Sequence, residues 1–294
     1  MTHKAGGYRF IDPQALAAIK DLHLAARTVV DGLMLGIHRS QRAGAGLEFN
    51  QFRSYQPGDD LRRVDWKLYA RSDRFFIRES EAETSVAVRI VLDATASMLP
   101  VFDYARFLAA SLALLAHRQG DAVGLVTLSE GALGVIRPAR QQQHFHRLLH
   151  QLEGLSAAGS WPDWPRIEAA LTADGSRGLV VLMSDLHERG AEIRSAARRL
   201  AAGRHDVLVL HLKTRDEVEF PWEGSTVFEE SETGRRVELD AGPARAGYLR
   251  EMEREDRGLR HDLEDHRIGY VSIVTDEPLD HALRRFLGAR GRAD

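Results

Sequence analysis

From Thr84 onward the chain alternates strand-sized apolar runs with amphipathic stretches, and this alternation constrains its fold more than any other feature. Val86–Asp93 (VAVRIVLD), Ala122–Ser129 (AVGLVTLS), Leu179–Ser184 (LVVLMS), Val207–Leu212 and Tyr270–Val274 read as strands. Between them, Phe102–His117 carries Ala105, Leu108, Leu112 and Leu115 on one helical face. Gln141–Glu153, Pro165–Thr172, Ala191–Ala202, Pro243–Asp265 and Leu279–Leu287 are read as helices too. Strands that are apolar throughout must be buried on both faces, as in a parallel sheet covered by helices on each side. The expected fold is therefore α/β, a Rossmann-like doubly wound sheet spanning residues 84–294. Leu133–Ile136 is expected to add a short edge strand, and residues 216–240 to leave the sheet as a hairpin around Gly224 and Gly234.

Residues 1–83 have a different texture. Asp12 and Pro13 predict the start of a helix over 13–35, with Leu16, Ile19, Leu22, Ala26, Val29 and Leu33 on one face and Gly36 as its stop. Residues 38–80 mix glycine, charge and aromatics without a long period. Short strands are expected at Glu48–Tyr55 and Arg74–Ser80, with a turn at Gln56-Pro57-Gly58-Asp59.

Composition removes several chemistries. The chain has 294 residues and no Cys, which excludes disulfides, thiol catalysis and Cys-ligated zinc or iron–sulfur clusters. A net charge of −3 makes no electrostatic case for nucleic acid. Lys occurs only at Lys4, Lys20, Lys67 and Lys213, never after a glycine, so the Gly-Lys-Ser/Thr of a phosphate-binding loop is absent. His-Glu-x-x-His, Gly-x-Ser-x-Gly and Gly-x-Gly-x-x-Gly are absent as well. No apolar run reaches the ~18 residues of a membrane span, and the first residues lack a leader-length apolar stretch, so the expected location is the cytoplasm.

In a doubly wound sheet, ligands sit beyond the carboxyl ends of the strands. Asp93 closes the first strand in Asp93-Ala94-Thr95-Ala96-Ser97, and Asp185 closes the third in Met183-Ser184-Asp185. One carboxylate and two hydroxyls on one side of a loop are hard oxygen ligands suited to Mg²⁺ or Mn²⁺. The same residues also suit a helix cap with no metal, and both readings stand at this point. A phosphotransferase of the haloacid dehalogenase type needs Asp-x-Asp, which Thr95 breaks.

Asp93, Thr95, Ser97 and Asp185 resemble the metal-ion-dependent adhesion site of von Willebrand factor A domains, with Asp-x-Ser-x-Ser after the first strand and an Asp after the fourth. The resemblance implies a divalent cation with one open position for a partner's carboxylate. The second loop departs from that pattern. Where a Thr is expected, this chain has Trp161-Pro162-Asp163-Trp164-Pro165. Either Asp163 or Ser160 replaces it as an oxygen ligand, or the site is degenerate. Trp161, Asp163 and Trp164 form a loop that either anchors a partner or packs locally.

A longer resemblance lies before the sheet. Gly46-Leu47-Glu48-Phe49, the run from Arg53 through Tyr55, Pro57-Gly58-Asp59-Asp60, Arg62 and Asp65-Trp66, then Ala70-Arg71, is similar to the signature block of the domain of unknown function 58 family. Membership implies a von Willebrand factor A-like domain after the block. It also implies a MoxR-type AAA+ ATPase as partner, in chaperone-like maturation or assembly. Arg53, Tyr55, Asp59, Asp60, Arg62, Asp65, Trp66 and Arg71 suit a salt-bridged structural clamp, and equally a polar recognition surface with aromatic anchors. The expected function is a non-enzymatic interaction module. The alternatives are a metal-dependent hydrolase using Asp93 and Asp185, weakened by the lack of a nearby His as general base, and a metal-free scaffold.

Overall fold

The computed structural model describes residues 21–43, 52–54, 76–78, 86–129, 133–172, 175–187, 192–229 and 235–290. The chain divides into two compact units, one made of Met1–Leu33 and Val86–Asp294, the other of Met34–Ser85. Helix α1 (Leu22–Ala43) starts behind Asp21, whose Oδ1 accepts the Leu24 N–H at 3.0 Å. It continues past Gly36, which therefore does not act as a stop. One glycine inside a helix costs only about 1 kcal/mol relative to alanine, too little to end a long helix by itself.

In the smaller unit, β1 (Phe52–Ser54) and β2 (Phe76–Arg78) pair antiparallel, with Arg53 opposite Ile77. Both lie within the expected strands. Arg53 is the one clamp residue whose backbone is described. Tyr55, Asp59, Asp60, Arg62, Asp65, Trp66 and Arg71, with the turn at 56–59, lie outside the described residues.

The larger unit is built on six strands. They are β3 (Ala87–Asp93), β4 (Ala122–Leu128), β5 (Gly134–Ala139), β6 (Gly178–Ser184) and β7 (Asp206–Lys213), then β10 (Gly269–Val274). The intervening β8 (Ser225–Glu229) and β9 (Arg236–Asp240) form the separate antiparallel hairpin expected over 216–240. The sheet order is β10-β7-β6-β3-β4-β5, and only β5 runs antiparallel. The chain thus winds outward in one direction from β3 through β4 to β5, then returns to β3's other side at β6 and winds the opposite way. This is the doubly wound order, and its switch point lies between β3 and β6. It gives the von Willebrand factor A-type α/β arrangement expected from the sequence.

The connecting helices are α2 (Phe102–Arg118), α3 (Gln142–Glu153), α4 (Trp164–Thr172), α5 (Glu192–Ala202), α6 (Arg215–Glu219), α7 (Ala241–Asp265) and α8 (Leu279–Arg290). On one side, Val91, Val126, Val180, Leu182 and Val209 of the sheet pack with Ile167 of α4, Ala197 of α5 and Leu263 of α7 in one buried cluster. α1 contributes Ala25, Ala26, Val29, Val30 and Leu33, all fully buried. It is tied to α2 by the Asp31–Arg118 ion pair at 2.6 Å and to α3 by the edge contact of His23 on Phe145. At the amino edge of the sheet Gly178 lies opposite Ala87, so close that a Cβ there would stand 2.0 Å from the Ala87 carbonyl oxygen. The β3–β6 pairing therefore requires glycine at this position.

Candidate functional site at the carboxyl edge

Three loops converge beyond the switch point: the segment after β3, the one leading into α4, and the one after β6. Backbone hydrogen bonds join the first two. Ala96 N–H donates to Gly159 O at 2.9 Å, and Ala158 N–H donates to Ala94 O at 2.8 Å. Gly159 has φ 70°, a left-handed conformation that glycine adopts without steric cost and that turns the loop back toward β3. The loop between α3 and α4 is thus fastened to the strand end that carries Asp93.

Asp93 is 1% exposed. Its Oδ1 accepts the Thr95 N–H at 3.0 Å and the Thr95 hydroxyl at 2.7 Å. Its Oδ2 accepts the Ser184 hydroxyl at 2.7 Å and the Trp161 indole N–H at 3.0 Å. Thr95 Oγ1 also stands 3.1 Å from Ser97 Oγ. Burial and the neighbouring charge of Asp185 push the Asp93 carboxyl above the usual carboxylate range, while the Ser184, Thr95 and Trp161 hydrogen bonds pull it back.

Asp185 is turned to other partners. Its Oδ1 accepts the His187 N–H at 3.1 Å, and its backbone N–H reaches Met98 Sδ at 3.1 Å. Its Oδ2 is buried and forms an ion pair with His187 Nδ1 at 3.3 Å that lacks hydrogen-bond geometry. His187 Nε2 lies 3.7 Å from Glu217 Oε1, and the Asp185 carboxylate beside the ring raises its pKa. Leu186, between them, adopts φ 56° and donates its N–H to Ser184 Oγ at 2.9 Å, an uncommon conformation for a branched residue. A cavity of about 420 Å³ opens here, lined by Asp185, His187, His211, Lys213, Glu217 and Asp256 among others. Burial pushes His211 down to about 3, so it stays neutral between Tyr270 OH (2.7 Å) and Asp185 O (3.1 Å). Burial would raise Asp256, but hydrogen bonds from Lys213 and Tyr270 outweigh it and hold the carboxyl below its usual range.

The expected four-ligand set is therefore divided. Asp93, Thr95 and Ser97 are brought together. The β6 side chain that meets Asp93 is Ser184, however, and Asp185 points to His187. A cation needs several free lone pairs converging on one point. Asp93 already receives two donors on each oxygen, which fills a carboxylate's ordinary acceptor sites. The second loop brings an N–H where a ligating oxygen would be needed. The residues as arranged do not fit the divalent cation implied by the adhesion-site resemblance.

Trp161 and Trp164 are half-buried and pack against the core cluster, and Arg199 lies over the Trp164 ring at 5.4 Å. Asp163 is exposed, and its backbone carbonyl receives the Arg166 N–H at 3.1 Å in the first turn of α4. Sequence reasoning missed Ser184 and His187, although both flank Asp185 in the chain. It also missed that the Trp161 N–H would serve Asp93. A histidine does stand beside Asp185, contrary to the expectation on which the hydrolase reading was weakened.

Among the described residues, no helix is long and apolar enough to cross a membrane. Two mycobacterial relatives, uncharacterized protein Rv1480 of Mycobacterium tuberculosis and uncharacterized protein Mb1516 of Mycobacterium bovis, are each 29% identical over 292 residues, covering 96% of this chain and 91% of their own. Among solved structures, the conserved hypothetical protein BatB from Bacteroides thetaiotaomicron aligns with a TM-score of 0.46 at 16% identity, over 71% of this chain and 100% of its own. The SpRpn10 VWA domain aligns with a TM-score of 0.39 at 16% identity, over 69% of this chain and 95% of its own. Residues 51–258 match the family model described as "Protein of unknown function DUF58". That match takes in most of the chain, from the first described strand pair to the middle of α7, and the protein belongs to the DUF58 family.

Proposed function

We propose that this chain is a non-enzymatic protein-interaction module that docks a partner at the carboxyl edge of its sheet. The observation that carries the reading is Leu99. It is 70% exposed, yet it follows Met98, which is fully buried, in a loop hydrogen-bonded at Ala94 and Ala96. An exposed apolar side chain on a pre-ordered loop loses little entropy on docking and gains about 1.5–3 kcal/mol when buried. Hydroxyl and imidazole groups at Ser97 and His187 would supply a polar rim beside it. The partner by family resemblance is a MoxR-type AAA+ ATPase in the cytoplasm, which would supply the nucleotide hydrolysis for which this chain has no Gly-Lys-Ser/Thr loop. Leu99→Asp tests this. It is expected to abolish co-purification with the ATPase while leaving the circular dichroism spectrum unchanged; retention of the complex would sink the docking site.

His187 favours a second reading, hydrolysis at Asp93 and Asp185, because it adds a proton carrier beside one of the two carboxylates. Against it, both Asp93 oxygens are engaged, and the Ser184 and Thr95 hydroxyls both donate to Asp93 instead of standing free as nucleophiles. Turnover of phosphoesters by the purified chain, lost in His187→Gln, would favour the enzyme over the module.

A further inference from the structure

We propose that the carboxyl-edge site is independent of divalent cations because the Trp161 indole N–H, together with the Ser184 hydroxyl, does for Asp93 what a bound cation would otherwise do. A buried carboxylate needs positive charge or hydrogen-bond donors around it. Here the donors come entirely from the chain, two on Oδ1 from Thr95 and two on Oδ2 from Ser184 and Trp161. A cation approaching Oδ2 would meet the positive end of the indole N–H dipole, and would have to expel that donor to reach a lone pair.

The indole is not free to leave. Pro162 restricts the backbone of Trp161 to extended conformations. The Ala158–Ala94 and Ala96–Gly159 hydrogen bonds fasten the loop before it to the loop after β3. The ring packs against the core cluster, so swinging it away would also uncover apolar surface. The site is thus closed by design of the second loop, and its rim is pre-ordered without a metal. Cation independence does not depend on which partner docks there.

Three measurements on the full chain test this. First, thermal unfolding of the wild type is followed in EDTA and in millimolar MgCl₂ or MnCl₂. The expected melting curves coincide, since a cation held by the native state alone would raise Tm. A rise in Tm that disappears in Asp93→Asn would overturn the proposal. A rise retained in Asp93→Asn comes from another part of the chain and leaves the site cation-free.

Second, Trp161→Phe keeps an aromatic ring but removes the donor with the pyrrole half of the indole, and is expected to lower Tm by several degrees. Trp164→Phe is the control for the lost volume, because the Trp164 ring also packs on the core but its indole nitrogen is buried without a partner, and it is expected to lower Tm distinctly less. Equal stability of the two variants would overturn the role given to Trp161.

Third, the indole N–H signals are observed by NMR while MnCl₂ is added. The Trp161 signal, assigned by its loss in Trp161→Phe, is expected to stay sharp. Selective bleaching of that signal at low Mn²⁺ would place the ion beside Trp161 and Asp93 and refute cation independence in the wild-type chain, the variant serving only to assign the signal.

Discussion

His187, beyond the end of β6, and His211, inside β7, line the same cavity, yet their environments push them in opposite directions, which makes the site's pH behaviour a residue-level prediction. His187 gains Asp185 and Glu217 as partners, so its folded pKa lies above its ordinary value of about 6.5. The stability it contributes is fully present below about pH 6.5 and is lost as the pH rises through the raised folded value. In urea denaturation, His187→Gln is therefore expected to cost more stability at mildly acid than at alkaline pH. An equal cost at both would show that the ion pair contributes nothing. His211 is held down to about 3 by burial and by the Lys213 charge. Below about pH 6.5 the unfolded chain takes up a proton at this position that the folded chain refuses, and folding weakens as the pH falls toward the folded value. Ring signals of His211 should stay flat in an NMR titration down to about pH 4, whereas those of His187 should titrate with a midpoint above about 6.5. Leu186, strained between Ser184 and His187, supports the same picture of a rigid, locally costly turn placed where the loops meet.

Elements carry the next set of constraints. The strands were legible because burial on both faces leaves long apolar runs: β3, β4, β6, β7 and β10 each begin or end within a residue or so of the apolar segment that predicts them. Helix limits were less legible where tertiary packing decides them, as at Gly36, inside a helix that reaches Ala43. The β3–β6 pair has its own test. Gly178→Ala would drive a Cβ against the Ala87 carbonyl, which is backbone in a parallel ladder and cannot swing aside. A loss of about 1–3 kcal/mol is expected by urea denaturation, the range for forced overpacking. A neutral effect would mean that β6 can shift along β3, and with it the position of Ser184 against Asp93. Helix α6 shows local coding of the opposite kind. Thr214 and Glu217 form a reciprocal capping box, Glu217 N–H to Thr214 Oγ1 at 3.2 Å and Thr214 N–H to Glu217 Oε2 at 2.6 Å. The same Glu217 reaches His187, so one local motif also helps position a site side chain.

At the scale of the molecule, the larger unit includes a piece of chain from before the family signature block. Leu22–Leu33 buries its apolar face in the unit whose second chain segment begins at Val86. A chain starting at Val86 is expected to unfold at lower denaturant than the full chain, or to aggregate, because α2 and α3 would expose the surface that α1 covers. Equal stability would show that α1 is an accessory to the sheet domain rather than part of its core. What the amino-acid sequence determined by itself is the α/β class, the order of strands and helices, the hairpin excursion, and the two acidic strand ends. All of these follow from short-range periodicity and from which residues close a strand. Only the tertiary structure decided which side chains meet. Successive residues at a strand end point opposite ways, so whether Ser184 or Asp185 faces Asp93 depends on the register and twist of β6 against β3. The Trp161 N–H reaches Asp93 from 68 residues away. No local pattern encodes that distance. It is set by the loop closure and packing that bring the second loop over the switch point.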